Sequence, residues 1–198
     1  LIEDRINARR FFKTNYVTSG MNTLLREAFD RFSRQSQQGT FLLNQAMGGG
    51  KTHNMIALGL LAKHPEFRDE ILEGYHDPNL GRVNVAAFTG RESDAPLGIW
   101  GSIAEQLGKK QQFSDYYQPL SPPGQTAWVK LLKGDPLLIL LDELPPYLNQ
   151  ARAKEIGNAD LATVTTTALA NLLVAVGRPE LENVCVVISD LTATYGEG

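Results

Sequence analysis

Phe41-Leu42-Leu43-Asn44-Gln45-Ala46-Met47-Gly48-Gly49-Gly50-Lys51-Thr52-His53 is the stretch on which the fold turns. Thr40 to Asn44 is a short apolar run, suited to a buried strand. Met47-Gly48-Gly49-Gly50 does not continue it, because consecutive glycines lose too much backbone entropy in regular structure. Lys51 to Lys63 then reads as a helix that is apolar nearly all round, with Met55, Ile56, Ala57, Leu58, Leu60, Leu61 and Ala62. Such a helix is expected to be buried against a sheet, and His64-Pro65 closes it. Strand, glycine-rich loop and helix form the setting of the phosphate-binding pattern G-x-x-x-x-G-K-[ST]. Gly50, Lys51 and Thr52 match its essential end, whereas Gln45 stands where the first glycine belongs.

The residue types suit a triphosphate. Consecutive glycines let backbone N–H groups curl around phosphate oxygens without Cβ clashes. A helix starting near Lys51 adds the partial positive charge of its N-terminus. Lys51 would reach the β- and γ-phosphates as a point charge, and the Thr52 hydroxyl would ligate Mg²⁺. Met47, Gly48, Gly49, Gly50, Lys51, Thr52 and His53 are therefore the candidate nucleotide-binding segment. Taken alone, His53 reads as a packed or exposed residue in preference to a catalytic one.

A second pattern lies downstream, at Leu137-Leu138-Ile139-Leu140-Leu141-Asp142-Glu143. A continuous apolar run marks a parallel strand covered on both faces. It would deliver Asp142 to the carboxyl edge of the sheet, where open α/β sheets bind their ligands. Asp142 is the candidate Mg²⁺ carboxylate, acting through water because Mg²⁺ keeps much of its hydration. Glu143 is the candidate residue that orients and polarises an attacking water. Ser189 and Asp190, at the end of a further apolar run from Asn183 to Ile188, are candidates to contact the γ-phosphate. Arg178 and Arg91 read as solvated loop arginines, with an arginine finger acting on a neighbouring subunit as the lesser alternative. His64 and His76 have no Cys or His at metal spacing, so no zinc site is expected.

Between these landmarks strands and helices alternate. Met21 to Gln37 carries an apolar face at helical spacing (Met21, Leu24, Leu25, Ala28, Phe29, Phe32) behind the cap candidates Thr18, Ser19 and Gly20. Val83 to Phe88 reads as a strand, and Ile99 to Leu107 as a short helix. Ser114 to Gly124 reads as a loop, and Thr126 to Leu132 as a turn or two of helix. Ala159 to Val176 is helical in pattern, with Gly177 as its cap. The fold class is α/β: a three-layer α/β/α P-loop NTPase core with a mainly parallel sheet and right-handed crossovers. Residues 1–39 are expected to form a lead-in of helices and 40–198 the core, and the resemblance of Phe41–His53 and Leu141-Asp142-Glu143 to AAA+ ATPases implies that this core is cut before a C-terminal lid.

Composition bounds the rest. The chain has 198 residues, 42% hydrophobic and 21% charged, with a net charge of -3, which excludes wholesale disorder and fibrous forms. No apolar run approaches the ~20 residues that a membrane-spanning helix needs. Neither a signal peptide nor an initiator Met is present, and the chain reads as a piece of a longer protein with a cytoplasmic location. The single Cys185 excludes a disulfide framework and sits in an apolar run, where a buried thiol is expected. The mildly basic segment 1–34 reads as a solvated helix face.

The Phe41–His53 stretch, with Leu141-Asp142-Glu143 downstream, resembles the P-loop ATPases of the AAA+ type. Within them it is similar to a large prokaryotic ATPase family long labelled a domain of unknown function, which shares the Met47–His53 loop. Phe12-Lys13-Thr14-Asn15-Tyr16-Val17-Thr18 and Met21-Asn22-Thr23-Leu24-Leu25 look like that family's lead-in. The resemblance implies that Tyr16 and Val17 lie near the adenine, and that ATP with Mg²⁺ is the ligand. It implies ATP hydrolysis coupled to remodelling or assembly on DNA or a protein partner, in a homo-oligomer or larger complex. It also implies a setting in anti-phage defence of the BREX-like kind, with any DNA contact made by parts outside this chain. The alternative is a nucleotide-gated switch or scaffold with little turnover. A small-molecule kinase is the weaker reading because Asp142-Glu143 favours a water nucleophile. A GTPase is disfavoured because no Asn-Lys-x-Asp motif occurs.

Overall fold

The computed structural model describes residues 7–15, 17–43, 50–91 and 94–189. Its strands are β1 (Thr40–Leu43), β2 (Asn84–Thr89), β3 (Leu137–Asp142), β4 (Glu155–Ile156), β5 (Ala159–Asp160) and β6 (Val184–Ser189). Four of them form a parallel sheet in the order β1-β6-β3-β2, and β4 and β5 form a separate antiparallel hairpin. The central strands β3 and β6 are buried almost throughout, whereas the edge strands β1 and β2 alternate. That difference explains their sequences: a strand covered on both faces needs a continuous apolar run, and an edge strand does not.

The helices are α1 (Ala8–Thr14), α2 (Ser19–Phe32), α3 (Lys51–Lys63), α4 (Arg68–Ile71), α5 (Gly98–Gln106), α6 (Gln125–Leu132), α7 (Leu144–Ala151) and α8 (Leu161–Val176). They cover both faces of the sheet. On one face Leu138, Leu140, Cys185 and Val187 share a core with Leu24, Phe29, Leu58 and Leu61 from α2 and α3. On the other, Ile139, Leu141, Val186 and Ile188 pack with Ile103, Trp128, Leu169 and Leu172 from α5, α6 and α8. The chain crosses from β1 to β2 by way of α3, then steps back to β3 and to β6 by way of α5–α8. Crossovers of one hand require helices on opposite faces when the direction of stepping reverses, and this is the arrangement seen.

Several boundaries differ from the sequence expectation. The α2 helix begins as expected, with the Thr18 hydroxyl accepting from the Met21 N–H at 3.2 Å. It stops at Phe32 instead of Gln37. Arg34 adopts the left-handed conformation (φ 63°), its N–H bonds the Arg31 carbonyl, and the Gln35 N–H reaches back to the Asp30 carbonyl. That pattern terminates a helix, though with arginine in the usual glycine place. Gly177 does follow α8, but it stays right-handed (φ -74°), so its conformational freedom is not what ends the helix. The hairpin β4–β5 and the helix α7 have no counterpart in the sequence expectation. The hairpin turns through Gly157-Asn158, with Gly157 at φ 60°.

The basic N-terminal segment is not simply a solvated face. Arg31 is buried, and it donates to the carbonyls of Val184, Ser36, Gln37, Val176 and Leu181. It ties the end of α2 to the start of β6 and the end of α8. Gly39 leaves room for it: a Cβ there would lie 2.7 Å from the Arg31 Nη2 atom. Cys185 is fully buried, as expected, and burial pushes its thiol up to about 12.

Candidate functional site

Parallel pairing sends the ends of β1, β2, β3 and β6 to one edge of the sheet. Gly50 leads into α3 in the left-handed region (φ 102°), a conformation that favours glycine. Lys51 and Thr52 occupy the first turn of α3, where backbone N–H groups lack intrahelical partners. The Thr52 hydroxyl donates to Asp142 Oδ2 at 2.8 Å, joining α3 to the last residue of β3.

Glu143 follows Asp142 in a left-handed conformation (φ 55°, ψ 40°). For a non-glycine residue this costs about 1–3 kcal/mol and persists only where the surroundings hold it. Its N–H donates to Asp142 Oδ1 at 3.0 Å and to Ser189 Oγ at 3.1 Å. The neighbouring turn presses on it as well. The Gly90 N–H bonds the Asp142 carbonyl at 3.0 Å, and a Cβ on Gly90 would collide with the Glu143 carbonyl oxygen. Ser189 is buried, and its hydroxyl is an acceptor here, supporting the backbone of Glu143.

These groups line a cavity of about 490 Å³. Gly50, Lys51, Thr52 and His53 from the start of α3 line it together with Asp142, Glu143 and Ser189 from the ends of β3 and β6. The structure thus brings together seven of the residues singled out in the sequence. Met47, Gly48 and Gly49, and also Asp190 and Tyr16, lie outside the described residues. Val17 is half-buried against the core beneath α2 and α3. Arg178 bonds Glu180 at 3.1 Å in the segment leading into β6, at the other end of that strand from Ser189.

Three features of the site were missed. The sequence makes Arg91 a solvated loop residue, yet its Nε pairs with Glu143 Oε2 within the cavity. Its position two residues beyond β2 is a signal only once β2 is known to end at the same edge as β3. Pro145, Pro146 and Asn149 of α7 complete the lining. Proline in the first turn of a helix is well tolerated, and that is the signal that would have found α7. Finally, His53 Nε2 lies 2.7 Å from Asn15 Oδ1, and its ring lies 5.4 Å from that of Phe11. The lead-in helix α1 is therefore in contact with the start of α3.

The family model of the DUF499 N-terminal domain matches residues 3–87 and 91–198. The chain belongs to this family. Comparison with curated proteins and with solved structures found no match. The DUF499 match takes in every residue that lines the cavity. The site is thus built wholly from the family's domain. Among the described residues no helix is long and apolar enough to cross a membrane.

Proposed function

We propose that this DUF499 domain is the P-loop core of a cytoplasmic AAA+-type ATPase that binds ATP with Mg²⁺ and hydrolyses it. The observation that carries the reading is the Thr52–Asp142 hydrogen bond. It joins the Gly50-Lys51-Thr52 turn to the Asp142-Glu143 strand end across 90 positions of sequence, in the lining of one cavity. Lys51 supplies a positive charge beside the N-terminus of α3, which suits the β- and γ-phosphates of a triphosphate. Glu143, whose N–H is held by Asp142 and Ser189, would orient water and accept its proton. Water attacks the γ-phosphorus, the bond to the bridging oxygen breaks, and ADP leaves with the electron pair.

The oxygen donors Thr52 and Asp142 suit a hard cation. They would hold Mg²⁺ together with water and phosphate oxygens, and the ion would neutralise charge on the phosphates. In keeping with the family resemblance, hydrolysis is proposed to drive remodelling or assembly on DNA or a protein partner, in a homo-oligomer, in anti-phage defence. A nucleotide-gated switch with little turnover is the second reading. It is favoured by the contact of Arg91 with the Glu143 carboxylate.

The test is γ-phosphate release by the protein in its full length, with Lys51→Ala and Glu143→Gln as controls. Release by wild type that both substitutions abolish is the expected result. Equal release by wild type and Lys51→Ala would sink the reading.

A further inference from the structure

The start of β2 lies at the end of the sheet away from Thr52 and Asp142, and there the outer edge of the strand is covered unevenly. The Asn84 N–H bonds the Pro136 carbonyl, and the Gly90 N–H bonds the Asp142 carbonyl. Along β2 the even-numbered residues therefore turn their peptide groups toward β3, and the odd-numbered ones turn them outward. The Val83 N–H is taken by the Ala62 carbonyl of α3 at 2.8 Å. Farther along, the Gln106 side chain of α5 stands in for a strand: it accepts from the Ala87 N–H and donates to the Ala87 carbonyl, both at 2.9 Å. Between these two covers, the Val85 N–H and carbonyl meet no hydrogen-bond partner among the described residues. One open position on an otherwise covered edge is a short docking place for another backbone.

Val85 borders a cavity of about 430 Å³ whose lining includes Lys63, Arg82, Gln106 and Leu107. A second cavity, of about 170 Å³, adjoins it at Asn84 and Leu107 and is lined by Lys109, Lys133 and Asp135 among others. Among the described residues of the two linings four are cations and Asp135 is the one acid, in a chain whose net charge is -3. Arg82 and Lys133 are exposed, and the half-buried Val85 and Leu107 supply apolar surface between the charges. In an antiparallel pair two directly opposite residues exchange both backbone bonds. One residue of an incoming strand therefore satisfies Val85 without displacing Gln106, and the side chains flanking it reach the cations. We propose that this groove docks an extended acidic segment of a partner protein, anchored on the Val85 peptide groups and held by its carboxylates on Arg82, Lys133 and the neighbouring lysines. Nucleic acid fits less well, because a phosphate backbone meets the cations but brings no N–H to the Val85 carbonyl. The groove shares no residue with the lining of the candidate nucleotide site, so the inference stands apart from the ATPase reading.

The experiment measures fluorescence anisotropy of labelled probes with the protein in its full length. The probes are a peptide alternating glutamate with valine, the same peptide with every backbone nitrogen methylated, its lysine-for-glutamate counterpart, and an oligothymidylate. The groove predicts that the acidic peptide binds and that backbone methylation weakens it by about tenfold, the scale of a lost hydrogen bond to the Val85 carbonyl. Arg82→Glu combined with Lys133→Glu weakens the acidic peptide by about tenfold or more and tightens the lysine peptide, because the charge pattern is reversed. Both positions are exposed, so melting curves of this variant should match wild type. Equal binding of the acidic peptide and its methylated form overturns the strand docking, and it does so on the unaltered protein. Equal binding of the acidic peptide by wild type and the charge-reversed variant overturns the placement in this groove. Failure of the acidic peptide to bind overturns both. Oligothymidylate binding that the charge reversal abolishes, without binding of the peptide, makes the groove a nucleic-acid surface and overturns the proposal.

Discussion

The Thr52 hydroxyl donates to Asp142 Oδ2 at 2.8 Å, and this contact joins the first turn of α3 to the end of β3. It places a hydroxyl and a carboxylate where a hard divalent cation would need both. Thr52→Val and Asp142→Asn should each weaken Mg²⁺-dependent nucleotide binding by about tenfold, the loss of one oxygen donor to a charged partner. Titration in EDTA should bring wild type down to the level of the variants. Equal affinity with and without Mg²⁺ in wild type would contradict the assignment.

Glu143 is proposed to act on water and not on binding. Glu143→Gln should lower kcat by about 10²–10⁴-fold, the usual contribution of a positioned base, with nucleotide affinity kept or improved. Single-turnover phosphate release beside calorimetric binding separates the two effects. A parallel loss of affinity would make Glu143 a binding residue instead.

Gly90 matters through what it leaves out. A Cβ there would run into the Glu143 carbonyl oxygen and lie 2.9 Å from the Tyr147 Cβ. Gly90→Ala should push the Asp142-Glu143 turn outward and lower turnover by about a hundredfold, the scale of an ångström's misplacement at a reacting centre. Unchanged turnover would show that the two turns are not rigidly packed.

Arg31 is a buried cation satisfied only by carbonyls, and burial pulls its pKa below the ordinary value without removing the charge. Arg31→Met should destabilise the fold by about 3–5 kcal/mol, because several buried carbonyls lose their donor together. Arg31→Lys should rescue little, since an ammonium cannot reach carbonyls spread over α2, α8 and β6. Thermal melting, with a fall in Tm of about 10 °C, checks both.

Cys185 provides a pH test of burial. Its folded pKa is raised from 9.0 to about 12 because burial disfavours the thiolate, with Arg31 opposing. The unfolded thiol therefore loses its proton first, and the folded state binds more protons between those values. Stability is fully present below about pH 9 and falls as pH rises toward 12, by up to ~1.4 kcal/mol per pH unit from this group. Denaturation in urea across that range should show the decline, and Cys185→Ala should flatten the slope even though it lowers absolute stability. An identical slope in the variant would mean that other groups carry it.

Local pattern was enough to place β1, α3, β3 and β6, because each is set by short-range physics: an apolar run for a doubly covered strand, and glycines that break regular structure before a helix. The same reading failed where the decisive partner is remote. Arg31 looks like any surface arginine until α8 and β6 surround it with carbonyls. Phe32 ends α2 because Arg34 accepts a left-handed conformation, which no composition rule assigns to arginine. Pro145 and Pro146 stand in the first turn of α7, which no apolar periodicity announces.

By itself, then, the sequence determined the alternation of strand and helix and the chemical types at Lys51, Thr52, Asp142, Glu143 and Ser189. These follow from side-chain polarity and backbone freedom, which every residue carries with it. Only the tertiary structure decided that β6 lies between β1 and β3, that Ser189 supports the Glu143 backbone, and that Arg91 rests on the Glu143 carboxylate. Strand order depends on which faces the crossovers cover, and an ion pair across 52 residues depends on strand order.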